Sequence, residues 1–271
     1  MRNPLHTTKP SLLFFLYLLM LTAITRPLAA AELSLAVHPL LSAERTRQVY
    51  QPLVDYLSQA SGQKIKLVTN INYLAHWQAM KREQYDLILD GPHFTAYRIN
   101  KMNYTALAKF PGLMSHSLVA HEDNMILEPS ELIGKTIATT ASPALAALYL
   151  NLIFPNPMRQ PNIVETPNVD QAAELAMQGK VAAAIIPTPI VARYPGLVTI
   201  YVTEQGPSLG ISASPMLSAE LQQSLRSALL DATNNPAGRK ALESLTAETL
   251  EPADNSTFQD MDLLLEGTWG Y

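Results

Sequence analysis

Histidine and tyrosine are the side chains of this sequence best suited to meeting a small molecule. Cysteine is absent, and 6 His and 11 Tyr stand among 271 residues of which only 15% are charged. His93 follows Gly91-Pro92 at the end of the apolar run Leu87-Ile88-Leu89. That is where a buried strand hands over to a helix, and where side chains and unpaired helical N–H groups can meet a ligand. The plainer role for such a histidine is a bond to a nearby carbonyl. Tyr97 lies one helical turn further and shares a face with His93, though an aromatic at that spacing also suits a core. His38 ends the first strand, and His116 sits just past the Pro111-Gly112 break; both are candidates for a ligand-facing wall.

Two other chemistries compete for these residues. His38, His76, His93, His116 and His121 crowd the first half of the chain, with Met102 and Met114 nearby, and imidazole with thioether suits Cu, Zn or Ni. None has the close spacing of a structural metal site, so such a centre would have to be assembled from separate strands. Asp90 and His93 suggest an acid–base pair, but Asp90 also suits bonding to the N–H groups of the turn. No HExxH, nucleophile elbow or glycine-rich phosphate loop is present. Binding is therefore expected rather than catalysis, with no cofactor and no resident metal. A net charge of -4 without any Lys/Arg block argues against a nucleic-acid partner.

The elements that must position these residues follow a βα rhythm. Residues 1–31 are set apart first: Arg2 and Lys9, a short apolar core containing LLFFLYLLML, and Ala29-Ala30-Ala31 form the pattern of a cleaved secretory signal. The apolar core is shorter than the roughly 20 residues of a spanning helix, an uncleaved anchor being the alternative. Then come strand 33–37, a helix capped by Ser42 and ending at Gly62 that Pro52 should kink or split, strand 64–68, a helix capped by Asn72, and the strand ending at Asp90. This order implies a parallel sheet with right-handed crossovers. After Pro111-Gly112 a second set begins: strand 113–120, strand 135–139, a helix starting at Ser142-Pro143 with Ser142 as N-cap, a helix from Asn168 or Asp170, and the apolar strand 181–186. Past Gly206-Pro207 the chain should return to the first set, with Phe258, Met261, Leu264, Trp269 and Tyr271 docking a tail across it. The expected organisation is a leader at 1–31, lobe one from 32–111 plus 206–271, and lobe two from 112–205, with the cleft at the crossings.

In order along the chain, YQPLVDYL (50–57), Tyr73 at a helix start, Tyr85-Asp86 with Gly91-Pro92 and Tyr97, LIGKTIA (132–138) and GKVAAA (179–184) resemble the periplasmic phosphate/phosphite/phosphonate-binding proteins of ABC importers. The resemblance spans most of the sequence after the leader. It implies an α/β, two-lobed type II periplasmic binding fold, each lobe a mostly parallel sheet flanked by helices, closing by a hinge on an anion. It also carries ligand roles onto particular positions. Tyr73 keeps one family tyrosine, whereas the second falls near Met114. The family's serine/threonine cluster falls on Ala144 to Ala147, its histidine and glutamate near Val169 and Asp170, and its strand aspartate on Ala182. Ser142, Thr139 and Thr140 stand near the same helix start and can replace part of the lost cluster. Taken with the positional candidates His93, Tyr97, His38 and His116, the expected ligand set is Tyr73, His93, Tyr97, Ser142, Thr140, His38, His116 and Asp170. The expected protein is a monomeric periplasmic binding component that passes a small solute, other than phosphonate, to an ABC permease. Two alternatives remain open: a ligand sensor docking on a membrane histidine kinase, and a periplasmic Cu/Zn/Ni-binding protein.

Overall fold

The computed structural model describes residues 32–268; the leader at 1–31 and the tail residues Trp269 and Tyr271 lie outside them. The chain forms two mixed sheets. The first takes β1 (Leu33–Val37), β2 (Ile65–Val68), β3 (Leu87–Asp90), β4 (Thr105–Lys109), β12 (Gly210–Ala213) and β13 (Glu251–Pro252) in the order β13-β4-β12-β3-β1-β2. Between β1 and β3 the ladder is parallel, with Leu35 opposite Leu87 and Ala36 opposite Ile88. Every residue of β3 is buried, as expected of a strand covered on both faces. β12 inserts antiparallel between β3 and β4, because it is the strand that returns after the second sheet is complete.

The second sheet runs β10 (Leu197–Val202), β6 (His116–His121), β9 (Ala183–Pro187), β7 (Thr136–Thr140), β8 (Asn162–Thr166). Its β7, β8 and β9 are parallel, and β6 and β10 close one side antiparallel. Where the chain passes between the sheets, β5 (Leu113–Met114) and β11 (Gly206–Pro207) pair as a two-stranded ribbon. The two crossings are thus tied to each other by backbone bonds.

Among the described residues seven α-helices cover these sheets: α1 (Ala43–Ser61), α2 (Tyr73–Lys81), α3 (Pro92–Met102), α4 (Leu145–Ile153), α5 (Val169–Met177), α6 (Ala219–Leu230) and α7 (Pro236–Ser244). α1 is one helix of 19 residues carrying Pro52 inside it, so of the kink or break that the proline suggested, the break does not occur. The carbonyl that Pro52 leaves without a donor belongs to Gln48, which is exposed, so water can satisfy it. Apolar residues of α1, α6 and α7 pack on one face of the first sheet. On its other face Tyr73, Trp77, Met80, Phe94 and Tyr104 form a second cluster, which also takes in Ala144 and Leu148 of α4. The lobes therefore meet through apolar contact.

The tail does more than cover lobe one. Phe258 is fully buried against Ala96, Ala106 and Ala253, and burial of such a ring is worth about 1.5–3 kcal/mol. Gly210 makes room for it, since a Cβ there would stand 2.7 Å from Phe258 Cζ and 2.9 Å from Thr95 Oγ1. Leu265 joins the lobe-one cluster, and Leu264 packs on clusters of both lobes.

Candidate functional site

Beneath the junction of β3 and α3 lies a buried ion pair. Arg98 donates from Nη1 to Asp90 Oδ2 and from Nη2 to Asp90 Oδ1, each at 2.7 Å, and its Nε donates to Ser212 Oγ at 3.1 Å. His76 Nε2 lies 3.2 Å from the same carboxylate and Thr95 Oγ1 donates to it at 3.3 Å. Burial alone raises the Asp90 pKa, but the Arg98 guanidinium and His76 outweigh it and hold the carboxyl well below the usual range. Asp90 is thus committed to Arg98 and does not form the acid–base pair with His93.

His93 is placed by backbone geometry. Gly91 precedes α3 as its N-cap and has no side chain, and a Cβ there would fall 2.5 Å from His93 Cε1. The ring can fold back over Gly91 only because that position is glycine. It then reaches across the lobes, with Nε2 3.0 Å from the carbonyl oxygen of Pro143. A carbonyl only accepts, so Nε2 carries the proton and Nδ1 of the neutral ring is left with its lone pair. That Nδ1 is buried without a partner, as is Nδ1 of His116. The carbonyl-bonded role is thus taken by Nε2, and Nδ1 is left without a partner.

His93 and His116 line a cavity of about 90 Å³ together with His38, Tyr73, Gly91, Pro92, Met114, Thr140, Ala144, Leu145, Ala146 and Val169. Burial pushes the pKa values of His38, His93 and His116 down to about 4, so all three are neutral at pH 7. For His93 the Asp90 charge opposes this, and His38 and Arg98 add to it; for His116 the added contribution is His93. Burial, with Asp90 next, pushes the Tyr73 phenol far above its usual value, which makes it a neutral hydrogen-bonding group. No Lys, Arg, Asp or Glu lines the cavity. A larger hollow of about 370 Å³ opens between Tyr149, Tyr201, Glu204 and Met261. Its lining contains no α-helix N-cap, only Asp260 ahead of the 3-10 turn Met261–Leu265, and none of the unpartnered buried polar atoms, so the smaller cavity is the better candidate.

The cavity wall is built from helix starts. Tyr73 begins α2, Gly91 to His93 begin α3, Ala144 to Ala146 begin α4 and Val169 begins α5. Five helices have a side-chain N-cap: Ser42, Asn72, Asn168, Ser218 and Asn235 each accept from a first-turn N–H. The two without one are α3, capped by Gly91, and α4, capped by Ala144. Ala144 stands where Ser142 was expected. The chain turns for two more residues before the helix begins, and the half-buried Ser142 is not part of the lining.

Two further candidates fall elsewhere. Tyr97 packs on Trp77 with ring centroids 4.7 Å apart, and Asp170 accepts from the Tyr194 hydroxyl at 2.7 Å. The histidines also disperse: His76 belongs to the Asp90 network, and His121 Nδ1 accepts from Asp123 N at 3.3 Å at the end of β6. Among the described residues no group of three His, Cys, Asp or Glu side chains is placed to hold a metal ion. Arg98 was not singled out from the sequence. Its signal was a cation eight residues after the aspartate that ends a buried strand.

Three comparisons bear on this arrangement. A family profile described as ABC transporter, phosphonate, periplasmic substrate-binding protein matches residues 35–258. No curated protein matches the sequence. Among solved structures, PhnD1 of Prochlorococcus marinus in complex with methylphosphonate superposes with a TM-score of 0.74 at 13% identity, over 86% of this chain and 96% of that one. A Xanthomonas citri protein bound to ATP gives 0.70 at 14%, over 86% and 94%. A binding-protein component of an ABC phosphonate transporter from Pseudomonas aeruginosa gives 0.71 at 16%, over 86% and 84%. At such identities the likeness speaks to fold, which is the two-lobed type II periplasmic binding architecture.

Proposed function

We propose, from the premise that this chain belongs to the periplasmic substrate-binding proteins of phosphonate-type ABC transporters, that it takes up a compact solute by an oxygen-bearing head seated on the bare first turns of α3 and α4. The solute-binding role in transport and the periplasmic location come with the family; the solute and the way it is gripped are this proposal. One observation carries it. The two helices without a side-chain cap both begin in the cavity wall. A helix start leaves N–H groups unpaired and a partial positive charge, so a solute oxygen can take the place of the missing cap.

The same wall argues against a doubly charged phosphonate as the natural solute. Methylphosphonate is what the Prochlorococcus protein was solved with. By the resemblance, the family's cluster falls on Ala144, Leu145, Ala146 and Ala147 and its aspartate on Ala182, and no cationic side chain lines the cavity. Each charge-assisted hydrogen bond is worth ~1.5–3 kcal/mol, so losing three weakens binding by more than about a thousandfold. At pH 7 methylphosphonate and phosphite are expected to bind only at high micromolar to millimolar concentrations, and sub-micromolar affinity for either in calorimetry would sink this part of the reading.

The receiving partner in this reading is an ABC permease. Permease and ATPase genes beside this one would support that, and a two-component pair would favour a sensor. The solute itself is best identified by native mass spectrometry on protein recovered from the periplasm without refolding, followed by thermal-shift screening. A bound oxyacid or a small oxygen-rich organic mass is expected. A stoichiometric metal, or a purely apolar molecule, would contradict the proposal.

A further inference from the structure

The cavity combines two kinds of unmet hydrogen-bonding demand. The first turns of α3 and α4 present donors, whereas His93 presents an acceptor, because its Nε2 proton is already given to the Pro143 carbonyl. His93 and His116 are each at least nine-tenths buried, and Nδ1 of each has no partner. An oxyanion stripped of protons answers only the donors. A neutral alcohol answers the acceptor but lacks an oxygen pair for the two helix starts. A group with an O–H beside an unprotonated oxygen answers both.

We propose that the cleft selects an oxyacid in a form that keeps one O–H proton, its bare oxygens on the α4 first turn and its O–H given to His93 Nδ1, with His116 Nδ1 beside it. This rests on the oxygen-head reading above and specifies the protonation state of that head. The charged and titratable groups around His93 are consistent with it. From β3, Asp90 is neutralised by Arg98 of α3; from β1 comes neutral His38, and from lobe two neutral His116, which packs on the Tyr149 ring. No neighbouring group is left to supply a countercharge. Burial also makes His93 a poor proton acceptor from water at neutral pH, so the proton in the bound state stays on the solute. When the dianion dominates in solution, one proton is taken up as the singly protonated form binds, and none is released.

The test is calorimetry with inorganic phosphite and methylphosphonate at millimolar concentrations from pH 5.5 to 8.5, repeated in buffers of different ionisation enthalpy. Affinity for both is expected to fall about tenfold per pH unit above the probe's second ionisation, with about one proton taken up per probe bound there. A flat or rising profile would overturn the protonated-acid inference and leave the oxygen-head reading standing. Failure of both probes to bind at any pH would overturn this inference, whereas the oxygen-head reading is overturned only if the molecule recovered with the protein carries no oxygen-bearing head. His93→Leu should lower the low-pH affinity at least tenfold, while His93→Asn, which restores an acceptor close to Nδ1, should recover part of the loss. If His93→Leu binds like the parent protein, the assignment of the proton to His93 is wrong. The parent pH profile decides the main question even if that variant folds poorly.

Discussion

Two sets of buried polar groups flank the Gly91-Pro92 turn, and they differ in one respect. Below the turn, Asp90, Arg98, Thr95, His76 and Ser212 bond to one another. Above it, His93 and His116 each keep an unpartnered ring nitrogen, and α3 and α4 begin without caps. Unmet demand in a buried site is costly, so a chain that satisfies the first set and not the second a few ångströms away has a use for the difference. The lower set ties β3, α3 and β12 together, and in the proposed reading the upper set is where the solute binds.

If that division is right, changes to the lower set should act on stability and changes to the upper set on affinity. The largest effect is expected from Arg98→Ala, which strands the Asp90 carboxylate in the interior. A loss of about 3–5 kcal/mol in urea unfolding is expected, and a loss under 1 kcal/mol would show that the network is not what braces the turn. Next comes pH. His38, His93 and His116 are held near a pKa of about 4 when folded, against about 6.5 when unfolded. Folding therefore excludes protons, and the stability these groups contribute is fully present above pH 6.5 and is lost as pH falls towards about 4. A melting temperature that stays level or rises between pH 6.5 and pH 4.5 would mean that these rings are not buried neutral.

Smaller effects sharpen the contrast. Tyr73→Phe removes a hydroxyl from the cavity wall and keeps the ring that stacks on Phe94 at 6.0 Å. It should weaken solute binding by about 0.5–1.5 kcal/mol with little change in melting temperature; the reverse pattern would make Tyr73 a core residue. Smallest of all, Asp170→Asn can still accept from Tyr194, so stability should move by no more than ~0.5 kcal/mol and affinity should not move. A clear loss of affinity would return Asp170 to the site.

How much of this could be read from the sequence varied with the range of the interaction concerned. The apolar run of β3 and the Gly91-Pro92 break are local signals, and they placed His93 at the end of a buried strand. The helix start at Asn72 and the crossing after Pro111-Gly112 likewise put Tyr73 and His116 on the cavity. Tyr97 does not reach it because only the first turn of α3 faces the cavity, and one turn further along the same helix the neighbour is Trp77. At α5, Val169 faces in and the next residue, Asp170, is turned by a helical step towards Tyr194. The Ser142-Pro143 pair imitates a helix start, and nothing in the local pattern says that the chain delays until Ala144. Arg98 depends on Ser212, more than a hundred residues away, and no local pattern carries that pairing.

If α4 is left bare at Ala144 to receive a solute, Ala144→Ser should expose the trade. A serine hydroxyl there should cap the first turn, raising the stability of the empty protein by about 0.5–2 kcal/mol. The same hydroxyl should compete for the N–H groups that the solute uses. Measured side by side, the melting temperature of the empty protein and the affinity for the solute identified by native mass spectrometry should move in opposite directions, the first up and the second down. A capped helix that binds the solute as tightly as the parent protein would contradict the claim.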